Sequence, residues 1–151
     1  MNGVVHFGTT DLWANTSSHV IVWHGVVYFT CEHFYYACKL RHFSGRVRKV
    51  RSAYRVKEIA RSIIREDPEA CVEGWCAERK LWTMELTLRL KLWQHRELRD
   101  HLLATGNAKL IDATGHPFWG GRKNHRGKLW MKLRDELRET RRRKRNRAAA
   151  E

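Results

Sequence analysis

Proline is scarce, at Pro68 and Pro117 only, and no stretch rich in Ser, Gly and Pro divides the 151 residues. One domain with a single core, residues 1–140, followed by a tail at 141–151, is therefore expected. No apolar run approaches the roughly 18 residues of a membrane span. The opening MNGVVHFGTT has no basic segment followed by an apolar one, so no export signal is read there and the cytoplasm is the expected setting. Cysteine is limited to Cys31, Cys38, Cys71 and Cys76, with no CxxC pair. Free thiols in a reducing compartment fit that spacing better than a zinc site drawing on His24, His33 or His42. Also missing are a GxxxxGK[ST] phosphate loop, a GxGxxG after a strand, an HExxH, and an H-x-E with P-C-x-x-C, which sets aside the common nucleotide-loop, dinucleotide, zinc-protease and zinc-deaminase chemistries.

Acid is the other shortage. Sixteen Asp and Glu stand against 30 Lys and Arg, for a formal charge of +14 and a pI near 10.2. Such a balance favours polyanionic partners, nucleic acids or phosphate-rich ligands, without naming a reaction. Much of the surplus is the run Arg141-Arg142-Arg143-Lys144-Arg145-Asn146-Arg147. A self-repelling, solvated end and a nucleic-acid contact are both readings of it.

The periodicities predict a mixed, mainly helical α+β domain with a small N-terminal β-hairpin. Short strands are expected at residues 4–7, 20–23 and 26–28, the last two joined by a turn at His24-Gly25. Thr30 is a plausible N-cap for a helix over 32–39, and residues 52–64 are compatible with a second helix. A broad apolar pattern begins near Ala77, with Leu81, Met84, Leu88 and Leu92 in one stripe and Trp82, Leu86, Leu90 and Trp93 widening it. It continues through Leu98, Leu102 and Leu103 to Gly106 as C′ residue, predicting the longest helix of the chain, packed on more than one side. Residues 109–114 read as a strand. A last helix opens at Asn124 or His125, with Leu129, Trp130, Leu133 and Leu137 inward and Arg134, Arg138 and Arg141 outward.

Residues 102–130 crowd turn residues together with large aromatics and a carboxylate, a density that suits a binding wall better than a connector. The polar set at element ends is Asn15, Glu32, Asp112, His116, Trp119 and Asn124. Two carboxylates, amides and aromatic surfaces suit glycosidic chemistry on a nucleotide. Glu32 has a second explanation, as a first-turn carboxylate at the positive end of a helix dipole. His116 is equally read as a loop histidine or as a polar contact.

Here the chain resembles the NADAR superfamily of N-glycosidases. Met84 to His95, ending KLWQH, looks like that family's M-x6-K-F-x-Q-N, and LLATG at 102–106 reproduces its LLATG. Leu110-Ile111-Asp112-Ala113-Thr114 stands where the family has L-[VI]-E-A-[ST], Phe118-Trp119-Gly120 where it has x-W-G, and residues 124–131, NHRGKLWM, where it has N-x-L-G-K-L-L-M. Upstream, Trp13-Ala14-Asn15 resembles its L-S-N and residues 30–37, TCEHFYYA, its S-V-E-H-x-Y-Q-A. The succession covers roughly residues 12–138.

The resemblance implies a hydrolase acting on N-glycosyl bonds without metal or cofactor, with Glu32 and Asp112 as catalytic carboxylates. Asn15, Trp119 and Asn124 fall on pocket positions for ribose, base or phosphate. Trp75 or Trp82 corresponds to a further pocket tryptophan, and His116 is added as a substrate contact. Two substrate classes are implied, ADP-ribose on guanine bases, free or in nucleic acid, and phosphorylated ribosylaminopyrimidines of riboflavin synthesis. The positive charge tilts the expectation to the first. A binding module without turnover is the non-enzymatic alternative. Ala14 for the family's serine, Tyr36 for its glutamine, Asp112 for its glutamate and Gly115-His116-Pro117 in place of an aspartate segment are the departures.

Overall fold

The computed structural model describes residues 3–150; Met1 and Asn2 of the opening stretch and Glu151 of the tail lie outside the described residues. The elements run β1 (Val4–Phe7), β2 (Ile21–Trp23), β3 (Val26–Tyr28), α1 (Cys31–Lys39), α2 (Ser44–Arg48), α3 (Ala53–Glu66), a 3-10 turn (Pro68–Ala70), α4 (Ala77–Gln94), α5 (Arg96–Ala104), β4 (Lys109–Asp112) and α6 (His125–Ala150). The class is α+β and mainly helical. The chain gathers into two compact units, Thr9–Gln94 and a second made from the chain up to Gly8 together with His95 onward.

In the Thr9–Gln94 unit, β2 and β3 form an antiparallel hairpin with Trp23 opposite Val26. His24 and Gly25 make its turn, both with positive φ, 48° and 75°. That is the backbone a tight two-residue hairpin requires, and glycine takes the second position without steric cost. Helix α1 is the hub, packing against α2, α3, α4 and β3. Its Phe34 and Cys31 bury with Ile21 of the hairpin, and Leu40 just beyond its end buries with Val47, Val56, Ala60, Ile63 and Ala70. Helix α2 was not legible in the sequence, because five residues are too few for a helical period to show. Helix α3 stops at Glu66, where Asp67 takes up extended backbone and its carboxylate accepts the N–H of Glu69 to start the 3-10 turn at Pro68.

The long helix expected from Ala77 to Ala104 is broken. His95 is extended (φ −124°, ψ 103°), separating α4 from α5, although no Gly or Pro marks the place. The physical reason is tertiary. The Gln94 side chain accepts the Val22 N–H at 2.8 Å and donates to the Val22 carbonyl at 2.9 Å, standing in for the missing neighbour strand of β2. The 26-residue α6 is consequently the longest helix. Trp82 and Trp93, expected to widen the buried face of α4, are exposed at 66% and 45%.

In the other unit, β1 and β4 pair in parallel, Val5 beside Leu110 and Phe7 beside Asp112. Helix α6 packs on β4 and on α5. Leu129, Trp130, Leu133 and Leu137 are buried as the periodicity predicts. Arg134 is a correction, since it is buried rather than outward. Its guanidinium donates to Thr105 Oγ1 and the Ala108 carbonyl, both at 2.8 Å, while Arg138 donates to the Gly106 carbonyl and to Asn107 Oδ1. Cations thus cover the carbonyl end of α5, where the helix dipole favours them. Gly106 has φ +54° and follows the helix as its C′ residue. Beyond Thr140, α6 continues to Ala150 with every residue exposed.

Close approach of α6 to β4 depends on Gly127. A Cβ there would lie 2.3 Å from the Leu110 carbonyl oxygen and 2.4 Å from Asn124 Oδ1. Gly127→Ala is therefore expected to destabilise the protein by about 3 kcal/mol, read as a fall in the urea midpoint with unchanged slope.

Candidate active site

The candidate residues form two clusters, one in each unit. In the Thr9–Gln94 unit the centre is a double tie between Asn15 and Glu32. The Glu32 backbone N–H donates to the Asn15 carbonyl at 3.1 Å, and Asn15 Nδ2 donates to Glu32 Oε1 at 3.1 Å. Glu32 is the second residue of α1, so one otherwise orphaned helix-start N–H is satisfied by the loop. Its carboxylate receives both a side-chain donor and the positive end of the helix dipole. Thr30 is the N-cap residue, but its hydroxyl makes no backbone cap; it bonds His33 Nδ1 at 2.8 Å.

Asn15 sits in the loop between β1 and β2, and one face of α4 fixes that loop at two points. Asn15 Nδ2 also contacts Met84 Sδ at 3.3 Å. Two helical turns on, the fully buried Lys91 donates from Nζ to the Leu12 carbonyl (2.5 Å), the Ala14 carbonyl (2.8 Å) and Ser17 Oγ (2.6 Å). A separation of seven residues returns a helix to the same face, so Met84 and Lys91 reach the same loop. The M-x6-K spacing in the sequence is the trace of this geometry. Asn15 is 3% exposed, and its Oδ1 is a buried acceptor without a hydrogen-bond partner among the described residues.

Trp75 packs edge-on to Tyr35, ring centroids 5.6 Å apart, with Lys39 Nζ 5.8 Å from its own centroid. Tyr35 and Lys39 follow Glu32 by three and seven residues, on the same face of α1. Trp82 borders an exposed hollow with Gly74, Cys76, Glu78 and Arg79. Of the two tryptophans left open by the sequence, Trp75 is the one the structure places along the Glu32 face.

The second cluster surrounds the end of β4. Asn124, in left-handed backbone with φ 45°, turns its amide onto the strand: Oδ1 accepts the Asp112 N–H at 2.9 Å and Nδ2 donates to the Leu110 carbonyl at 2.8 Å. Asp112 is buried. Its Oδ1 accepts the Thr114 N–H at 2.9 Å, and its Oδ2 lies 3.1 Å from Arg126 Nη1, an ionic contact not aligned as a hydrogen bond. The Arg126 guanidinium in turn stands 5.8 Å from the ring centroid of Trp119, which is 6% exposed. His116 Nδ1 accepts the N–H groups of Phe118 and Trp119 at 3.1 and 3.2 Å, the cap that an Asp or Asn usually provides at the start of a helical turn. Gly120 is required there, because a Cβ would meet the Asp112 carbonyl oxygen at 2.6 Å.

Sequence reasoning missed Arg126, His33 and the role of Lys91. Arg126 carried a signal, as an arginine where the resembling motif has leucine, next in space to an aspartate where it has glutamate. His33 carried none. Its Nε2 lies 2.6 Å from the Val50 carbonyl, so Nε2 is the protonated nitrogen and Nδ1 accepts from Thr30. Among the described residues no group of three His, Cys, Asp or Glu is placed to hold a metal ion, and no helix is long and apolar enough to cross a membrane.

Comparison with known proteins identifies the family. The NADAR domain family model matches residues 4–138. An N-glycosidase, YbiA, of Escherichia coli K12 is 33% identical over 121 residues, 75% of this chain and 72% of that protein. A chloroplastic riboflavin biosynthesis protein, PYRR, of Arabidopsis thaliana is 33% identical over 97 residues, 60% of this chain; the chain spans only 16% of its length. The NMR structure of E. coli YbiA superposes with a TM-score of 0.78 at 30% identity, covering 93% of this chain and 88% of that one.

Two outcomes are expected from this geometry. Lys91→Met removes the three hydrogen bonds that the buried ammonium gives to the loop, costing about 3 kcal/mol and speeding amide exchange at Ala14 and Ser17, whose N–H bonds lie in the loop. Burial lowers the His33 pKa below its ordinary 6.5. A depressed folded value means its neutral form contributes stability in full above about pH 6.5, lost progressively as pH falls toward the folded value. The urea midpoint should drop over that window, and by less in His33→Gln. On these matches, the chain belongs to the NADAR domain family.

Proposed function

We propose that this protein removes ADP-ribose from guanine bases, free or within nucleic acid, with Glu32 as the acting carboxylate. In class it is a hydrolase of N-glycosyl bonds, in line with the name of its N-glycosidase relative YbiA. The observation that carries the reading is the double tie of Glu32 to Asn15 at the start of α1. A carboxylate that accepts from an amide beside a helix N-terminus is suited to polarising water or countering positive charge at an anomeric carbon. Asn15 Oδ1 is a buried acceptor lacking a donor among the described residues, beside the carboxylate that the same amide orients. Asp112, occupied by Thr114 and Arg126, suits a positioning role, holding the guanidinium beside Trp119. The excess of positive charge supports nucleic acid as the carrier of the modified base.

A second reading, cleavage of a phosphorylated ribosylaminopyrimidine, is favoured by the name of the plant relative. Incubation with ADP-ribosyl-guanosine, an ADP-ribosylated guanine oligonucleotide and the ribosylaminopyrimidine phosphate separates the readings. Release of ADP-ribose is expected from the first two, reduced by about a thousandfold in Glu32→Gln. Turnover of the pyrimidine alone would establish the second reading, and binding of ADP-ribosylated substrate without release would leave a binding module.

The exposed basic end of α6 is, in our reading, a nucleic-acid contact. With Leu103, its Arg138, Arg141, Lys144 and Arg145 line a hollow of about 570 Å3. Deleting residues 141–151 should weaken binding of an unmodified oligonucleotide and flatten its salt dependence. Unchanged affinity and salt dependence would remove the tail from the interface.

A further inference from the structure

Between Glu32 and Glu58 the chain contains no acidic residue and eight Lys and Arg. In the same part of the molecule, large apolar side chains stand in solvent. Phe29 is 50% exposed and Val27 48% exposed. These two side chains and Arg48, Lys49 and Arg51 line one shallow groove of about 320 Å3, with β3 and its exit supplying the apolar wall and the end of α2 the cations. Scattered exposed apolar residues are ordinary, but an aromatic ring set among cations in an acid-free stretch is a defined chemistry. The ring offers a face on which a base stacks, and the cations lie where phosphates would follow.

The groove is also rigidly referred to Glu32. His33 is fully buried, directly follows Glu32, and holds the Val50 carbonyl between Lys49 and Arg51 at 2.6 Å. The Phe29 ring meets the His33 ring edge-on, centroids 5.6 Å apart. Phe29 itself precedes Glu32 by three residues, at the entry to α1. One buried imidazole therefore fixes the cationic segment, the exposed ring and the first turn of α1 in a single arrangement. A duplex hides its base faces inside the stack, so an exposed stacking ring favours single strands.

We propose that the groove of Val27, Phe29, Arg48, Lys49 and Arg51 is a binding track for single-stranded nucleic acid, leading to the Asn15–Glu32 centre. The inference deepens the proposed function and rests on it only for its purpose, since binding of an unmodified strand requires no turnover. The test is fluorescence anisotropy of a labelled, unmodified single strand of about 20 nucleotides with the full-length protein. Salt is varied, and a duplex of the same sequence is the comparison.

Phe29→Ala is expected to weaken single-strand binding on the order of tenfold and to leave the salt slope unchanged, because a stacking contact is lost and no phosphate contact. The exposed pair Lys49→Glu/Arg51→Glu is expected to lower that slope by about 1.4, from roughly 0.7 per phosphate contact on single strands. Wild-type affinity in both variants would overturn the proposal. So would duplex binding as tight as single-strand binding and insensitive to Phe29→Ala, which would make the surface a general polyanion site. Failure of the hydrolase reading appears separately, as strand binding without release of ADP-ribose.

Discussion

A buried lysine ammonium holds the candidate centre in place. Lys91 Nζ converges on two carbonyls and a hydroxyl of the loop that carries Asn15, and Asn15 holds Glu32 through both backbone and side chain. Burying an ammonium is unfavourable unless its donors are satisfied, so the loop must close over it in one conformation. The same requirement that makes Lys91 costly to bury makes the loop well determined. Met84, seven residues earlier on α4, gives the second contact and fixes how the Asn15 amide is turned. The chemistry proposed for Glu32 thus rests on a helix that contributes no proposed reacting group.

Short strands in this protein are completed by side chains. Gln94 pairs with both backbone groups of Val22, and Asn124 pairs with the Asp112 N–H and the Leu110 carbonyl. Two-stranded sheets leave edge groups unpaired, and an amide side chain presents the same donor and acceptor as a peptide unit. In each case the pairing has a consequence beyond the strand. Gln94 ends α4, and Asn124 brings the start of α6 so close to β4 that only glycine fits at position 127. Arg126 then lies against Asp112, where a carboxylate one methylene shorter than the family's glutamate meets a guanidinium in place of its leucine. The two departures belong to one contact and are understood together. His116 belongs to the same end of the chain's design, capping the turn that carries Trp119.

The sequence by itself determined the class, the strand and helix positions that depend on local periodicity, and the ordered motifs that point to the family. Val4–Phe7, the His24-Gly25 hairpin, the start of α1 and the buried face of α6 were all legible, because each is written in apolar spacing, turn residues or caps within a few positions. Tertiary structure alone decided the break at His95, the inward turn of Arg134, the exposure of Trp82 and the parallel pairing of β1 with β4. It also gave Lys91, His33 and Arg126 their roles. These depend on partners such as Leu12, Val50 and Asp112, some of them dozens of residues away along the chain. A buried polar side chain is defined by the group it satisfies, and local pattern carries no record of which distant carbonyl or carboxylate that will be.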